Sequence, residues 1–279
     1  MATAFGSEAI GILPENYKYL QEFIYRESGI VLEAEKQYLL DARLLGLARD
    51  AGVTTLNDLC ALLRAARGPA LRQKVVDAMT TNETYFMREP AHYDALRNVI
   101  LPDLIKLKDG SRRLRFWSAA SSTGQEAYSL AMMLLEMGLG NWSIEILGTD
   151  LCTQVLERAG NGSYTQLEMN RGLPSTLLLK YFRRSGLNWE IKDEVRRMVR
   201  FQQFDLRSSM RSLGPFDAVF CRNVLIYFDL PTKTKIIQEI HGTLFRGGYL
   251  FLGSTETSLP VGEQFERKSI ADATIYEAK

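Results

Sequence analysis

The sequence predicts an α/β protein: a doubly wound, mainly parallel sheet preceded by an all-helical domain. Three observations carry this expectation. Apolar residues recur at helical spacing over residues 14 to about 80, whereas short β-type runs alternate with amphipathic helices further on. Such alternation implies a parallel sheet with helices on both faces. Several β-type runs also end in Asp, Asn or a small-residue loop, at the strand ends where these sheets bind ligands. The chain of 279 residues has room for two domains, and 46% hydrophobic with 24% charged residues is ordinary globular composition. A formal charge of +1 supplies no global field to recruit nucleic acid or an anionic membrane. "MATAFGSEAI" lacks the basic start and apolar block of an export signal, and no run has the roughly 18 apolar residues of a membrane span. A cytoplasmic protein without direct membrane insertion is therefore expected. Cys60, Cys152 and Cys221 are far apart in apolar surroundings and read as buried thiols, and with only two histidines no metal site is expected.

The helical domain is assigned to residues 1–80. In "PENYKYLQEFIYRESG", Tyr17, Leu20, Phe23 and Ile24 share a face, Pro14 takes a tolerated first-turn position and Gly29 is a stop. "EKQYLLDARLLGLARDAG" repeats the pattern to Gly52, "TTLNDLCALLRAA" opens with threonine caps, and "PALRQKVVDAMT" follows a Gly-Pro break. Lys36 and Arg43 lie seven apart and are expected to share a face, either solvated or a docking surface for an acidic partner.

Residues 81–90 form a linker that looks like neither good helix nor good strand, within "TTNETYFMREP". The second domain is assigned to residues 91–279. "RLRFWSAA" is its first β-type run, "TGQEAYSLAMMLLEMG" an amphipathic helix, and "WSIEILGTD" and "FDAVFCRNVLIYF" hold further strands. "TKTKIIQEIHGTLFRGGYLFLGS" supplies a helix, a Gly-Gly turn and another strand. From about 165 to 204, alternation around Trp189, Ile191, Val195, Val199 and Phe201 reads as a small antiparallel insertion, either a partner contact or padding of the sheet.

The loop "SAASSTGQE" lets backbone approach a ligand at a helix amino end, yet the G-x-G-x-x-G fingerprint of pyrophosphate binding is absent. Glu126 begins the helix and reads equally as a first-turn carboxylate stabilised by the helix dipole. Asp150, ending "IEILGTD", suits the two hydroxyls of a ribose or a helix cap. Asp205 ends another strand-like run, and Asn223 after "FDAVFCR" is either crevice floor or an ordinary strand terminator. A ribose-binding acid without a pyrophosphate loop suits a phosphate-free nucleoside, of which S-adenosylmethionine is the commonest.

"TTNETYFMRE", "FWSAASSTGQEAYSLAM", "GTD", "FCRNVLIYFD" and "GGYLFLGSTE", in this order behind a helical bundle, resemble the bacterial chemotaxis receptor glutamate O-methyltransferases, the CheR family. The resemblance covers the chain from about residue 15 to its end. It implies a class I methyltransferase sheet, S-adenosylmethionine as cofactor with S-adenosylhomocysteine as product, and glutamates on chemoreceptor cytoplasmic helices as substrate. It also implies that some relatives grip a tethering peptide at the receptor terminus through the insertion. Carried over by position, Asn82, Thr84 and Arg88 would line the cofactor pocket, Glu126 and Asp150 would bind its methionine and ribose portions, Asp205 and Leu206 would flank the adenine, and Asn223 and Val224 would close the crevice. Asp205 stands where many relatives carry Asn, while Met87 and Ala127 stand where they often carry Phe and Pro.

The same resemblance gives the linker a purpose: folded over the ligand, it would use Asn82 and Thr84 for hydrogen bonds and Tyr85 or Phe86 as an apolar cover. Arg88 would hold the acceptor carboxylate or that of the cofactor, and Tyr227 would orient the acceptor. Methyl transfer from a sulfonium is an in-line displacement, in which orientation alone lowers the barrier by roughly 7–11 kcal/mol. A glutamate acceptor, with a pKa of about 4.3, is already ionised at neutral pH and needs no general base. That suits a chain with only His92 and His241. The competing expectation is a non-catalytic cofactor-sensing or signalling-adaptor module. Methylation of RNA or an amine fits the near-zero charge poorly. A monomer is expected.

Overall fold

A computed structural model describes residues 11–65 and 69–279, so the opening decapeptide and the Gly68 of the expected Gly-Pro break lie outside the described residues. The chain divides between Thr81 and Asn82 into two compact units.

The first unit contains α1 (Pro14–Ser28), α2 (Gln37–Asp50), α3 (Leu56–Ala65) and α4 (Pro69–Met79). Leu20, Phe23 and Ile24 are fully buried with Leu40, Leu44 and Leu59, as the helical spacing requires. Gly29 adopts φ 76° and its N–H donates to the Tyr25 carbonyl at 2.7 Å, closing α1 by a left-handed cap. Thr55 Oγ1 accepts from Asp58 N at 3.1 Å at the start of α3. The face expected for Lys36 and Arg43 is not formed. Lys36 lies in a 3₁₀ turn (Ala34–Lys36) ahead of α2 and pairs with Glu33 at 2.9 Å. Arg43 donates to the carbonyls of Met79 at 2.6 Å and Thr80 at 3.1 Å, fastening the end of α4. A spacing of seven aligns two side chains only when one helix runs through both.

The second unit opens with α5 (Pro90–Ala95), a π-helical turn and α6 (Leu101–Lys108). There follow β1 (Arg113–Ala119), α7 (Gln125–Glu136), β2 (Ser143–Asp150) and α8 (Thr153–Asn161). The insertion comprises β3 (Ser163–Thr165), α9 (Gln166–Met169), α10 (Ser175–Tyr181), β4 (Phe182–Ser185), β5 (Asn188–Ile191) and α11 (Asp193–Arg196). The chain then continues through β6 (Val199–Gln203), β7 (Phe216–Cys221), α12 (Leu230–His241), β8 (Leu244–Leu252), β9 (Phe265–Ile270) and β10 (Ala273–Ala278).

Seven strands form one sheet in the order β6-β2-β1-β7-β8-β10-β9. The first five are mutually parallel, and β10 runs antiparallel to both β8 and β9. Because successive strand residues face opposite ways, β1 sends Phe116 into one core and Trp117 into the other. The first core includes Leu130 and Leu134 of α7, and the second includes Ile236, Ile237 and Ile240 of α12. Phe220 and Phe251, in register on β7 and β8, stack with centroids 4.3 Å apart. The expected doubly wound sheet is thus present, with its helices on both faces.

Two local expectations change. The antiparallel insertion is the three-stranded sheet β3-β5-β4, and the segment predicted over about 165–204 divides. Val199 and Phe201 belong to β6, which pairs with β2 in parallel in the main sheet. Edge position leaves β6 only half-covered, so it alternates like a hairpin strand. The Gly247-Gly248 pair forms no turn, for it lies within β8. Gly247 takes φ 77°, and a Cβ on Gly248 would come 2.9 Å from the Phe245 carbonyl oxygen. The pair accommodates the irregular register between β7 and β8.

Candidate active site

The carboxyl ends of β1, β2 and β7 bring together most of the predicted site residues. After Ala119 the chain turns sharply into α7, with Ala120, Ser122 and Gly124 at φ 59°, 49° and 91°. A side chain at Gly124 would meet Phe201 at 2.9 Å and Ala159 at 3.0 Å, so this turn requires glycine. Ser121 N donates to the Thr149 carbonyl at 2.8 Å, and Tyr164 Oη to the Thr123 carbonyl at 2.8 Å.

Asp150 organises this turn. Its carboxylate accepts from Ser122 N at 2.9 Å and from Cys152 N at 3.0 Å, and Cys152 rather than Asp150 occupies the cap position of α8. Ser122 Oγ donates to the Asn82 carbonyl at 2.7 Å, which places Asn82 against the loop. Thr84 follows it, partly buried. Glu126 begins α7 and accepts from Ser118 Oγ at 2.7 Å and from Arg222 Nη1 at 2.8 Å.

Arg222 was not singled out by the sequence, although it adjoins Asn223 in a quoted motif. It is 6% exposed and joins Glu126, Glu89 at 3.3 Å and the Arg88 carbonyl. Burial opposes its charge, yet Glu126, Tyr93 and Glu89 hold it firmly protonated. Glu89 was also missed. Its carboxylate lies 3.2 Å from His92 Nδ1 and accepts from Asn223 Nδ2 at 3.2 Å and Ser254 N at 3.1 Å. Burial would raise the Glu89 carboxyl, but His92, Arg222 and Asn223 together hold it well below the usual carboxylate range.

That shift fixes a sign. A depressed carboxyl stabilises the fold above its unfolded pKa of about 4.3 and loses the contribution as pH falls through the lower folded value. Urea midpoints measured from about pH 5 to pH 3 are therefore expected to fall more steeply for the natural protein than for Glu89→Gln. Parallel curves would show that Glu89 is not so coupled.

Asn223 sits at φ 58°, with its N–H donating to Glu256 Oε2 at 2.7 Å. Glu256, 1% exposed, also accepts from Gly253 N and Leu225 N, each at 2.8 Å. It thereby pins the 3₁₀ turn Leu225–Tyr227 that carries the half-buried Tyr227. The signal for Glu256 was its place in "GGYLFLGSTE", where an acid follows a strand end. Val224 packs against the second core.

The remaining predicted residues are engaged differently. Asp205 is held by its neighbour Arg207, whose Nη2 approaches Oδ2 to 2.6 Å and whose Nε lies 3.0 Å from Oδ1. Leu206 beside it is buried. Arg88 donates to the Glu83 carbonyl at 3.1 Å and lies over the Tyr85 ring at 5.6 Å. Phe86 is fully buried among Tyr164 and Phe182, so it anchors its segment in the core and covers nothing. Tyr85 remains half-exposed beneath Arg88 and Arg171.

The donor set suits a cationic nucleoside. Asp150 and Glu126 can accept hydrogen bonds from hydroxyl or ammonium groups, and the loop between β1 and α7 holds a buried Ser121 Oγ without a partner among the described residues. The residues present therefore fit S-adenosylmethionine.

Residues 82–274 match the family described as CheR methyltransferase, SAM binding domain, and residues 15–80 match CheR methyltransferase, all-alpha domain. The chain belongs to the CheR methyltransferase family. It is 42% identical over 270 residues to "Chemotaxis protein methyltransferase 1" of Pseudomonas aeruginosa, covering 95% of this chain and 98% of that protein. Identity is 39% over 270 residues to "Chemotaxis protein methyltransferase Cher2" of Pseudomonas putida, with the same coverage of 95% and 98%. Against "Chemotaxis protein methyltransferase 1" of Vibrio cholerae it is 37% over 277 residues, 97% of this chain and 99% of that one. As a CheR methyltransferase the chain uses S-adenosylmethionine, in agreement with the fit of its acids. Among the described residues of this CheR chain, no helix is long and apolar enough to cross a membrane.

Proposed function

We propose that this protein transfers a methyl group from S-adenosylmethionine to glutamate side chains on the cytoplasmic helices of chemoreceptors, adjusting their signalling in adaptation. The observation that carries the reading is family membership along nearly the whole chain, shared with proteins named for chemotaxis. Bound S-adenosylmethionine supplies an activated methyl on a sulfonium.

The chain's own residues bind and orient. Asp150 and Glu126 accept hydrogen bonds from hydroxyl and ammonium groups, Asn82 and Thr84 border the same loop, Asp205 and Leu206 flank the base, and Asn223 and Val224 close the far side. Arg88 fixes a carboxylate, and Tyr227 orients the acceptor by its hydroxyl. An anionic acceptor asks for no proton removal. His92 is buried against Glu89 and Phe251 and His241 packs on Phe265, which supports an acceptor of that kind. The protein acts as a cytoplasmic monomer, with residues 81–90 contributing to the cofactor site and the insertion receiving a receptor tethering peptide in those receptors that have one.

Labelled methyl incorporation into receptor helices, released by mild base as esters are, tests the reading. A base-stable product would overturn it. Tyr227→Phe is expected to lower kcat/KM by roughly tenfold, the effect of one hydrogen bond of about 1.5 kcal/mol. Unchanged turnover would remove Tyr227 from the site.

A further inference from the structure

We propose that Glu89 is a positioning residue, a clasp that holds segment 82–90 onto the ends of β7 and β8, and that Arg222 passes this hold to Glu126 at the start of α7. The proposal rests on the cofactor reading above, because that segment carries Asn82, Thr84 and Arg88.

Residues 82–89 have no regular structure to fix them before α5 begins at Pro90. Met87 and Glu89 nevertheless adopt φ 55° and 58°, a left-handed conformation that side chains other than glycine keep only where their surroundings over-determine it. The surroundings of Glu89 do so. Groups from three elements converge on its carboxylate: Arg222 and Asn223 after β7, Ser254 after β8, and His92 in α5. Ser254 contributes twice, through its N–H at 3.1 Å and its Oγ at 3.3 Å. Two of these partners are buried, the Arg222 side chain at 2% exposure and that of His92 at 4%, while Asn223 is half-buried, Ser254 exposed and the Glu89 side chain itself 19% exposed.

Arg222 extends the hold in two directions. Nη1 donates to Glu126, while Nη2 donates to the Arg88 carbonyl and lies beside Glu89. One rigid guanidinium therefore spans the segment and the first turn of α7. A lysine ammonium carries the same charge but lacks a planar fork to meet acceptors on both sides. Met87 N also donates to Ser129 Oγ at 3.0 Å, a second tie of the same segment to α7. With the clasp intact the segment is already ordered, and a ligand that contacts it does not have to order it on binding.

Full-length Glu89→Gln and Arg222→Lys test this by amide hydrogen exchange and by calorimetric binding of S-adenosylhomocysteine. Both variants are expected to exchange about tenfold faster across residues 82–90, over and above any change at β1 and α12, which report global stability. Both are expected to bind the ligand about tenfold more weakly, the lysine failing to rescue despite its charge. Exchange and affinity like those of the natural protein would overturn the clasp while leaving the cofactor reading intact. A rise across residues 82–90 no larger than that at β1 and α12 would likewise overturn it, as that reports general destabilisation alone. If the natural protein took up no S-adenosylhomocysteine but segment exchange still rose in the variants, the clasp would stand and the cofactor reading would fail.

Discussion

Arg222→Met is expected to cost about 3–5 kcal/mol of stability, the scale for removing one partner of a buried ion pair. The guanidinium is nearly inaccessible, and the carboxylates it faces are themselves well covered, at 13% exposure for Glu126 and 19% for Glu89. Methionine fills much of the volume but leaves two acids with weakened compensation. Part of the loss should return in the double variant Arg222→Met with Glu126→Gln, because an unpaired buried charge is worse than no charge at all. Urea unfolding of the two variants beside the natural protein measures both quantities. A loss under about 1 kcal/mol would mean that water reaches these groups and that the cluster is no buried network.

Arg88→Ala is expected to behave in the opposite way, with little effect on stability and a large one on turnover. Its side chain lies half-exposed over Tyr85 and the Glu83 carbonyl, outside either core, so unfolding should shift by no more than about 0.5 kcal/mol. In the role proposed for Arg88, losing its cation costs about 2–4 kcal/mol of transition-state stabilisation, roughly thirtyfold to a thousandfold in kcat/KM. Steady-state kinetics with receptor and S-adenosylmethionine varied in turn locate the loss. A rise in KM for the cofactor assigns Arg88 to the cofactor carboxylate, and a rise in KM for receptor assigns it to the acceptor. Full activity in a folded variant would remove Arg88 from the site.

Much of the fold was legible because it rests on periodicity. The apolar residues of α1 and the alternation of strands with α7, α8 and α12 are local patterns that burial enforces directly. Legibility failed where a residue's partner lies far along the chain. Arg222 and Glu89 are 133 positions apart, from 222 − 89, and nothing local in "MRE" or "CRN" announces that they meet. The edge strand β6 was misplaced because half-covered strands in either kind of sheet alternate alike. Asp205 was readable as an acid at a strand end, but not as one held by Arg207 two residues on. Asp150 was readable in position, whereas its bonds to Ser122 and Cys152 depend on loop geometry that the sequence does not encode in any one residue.

The three-stranded insertion is rooted and free at opposite ends. Tyr164 and Phe182 at its base lock it to Phe86 and to the loop before α7, whereas the turn at Gly186 and Leu187 projects into solvent, Leu187 being 86% exposed. Lengthening a surface connection is thermodynamically mild, about 0.6 kcal/mol for each doubling. Length and sequence at that outer tip can accordingly change at little energetic cost while the buried foundation stays in place.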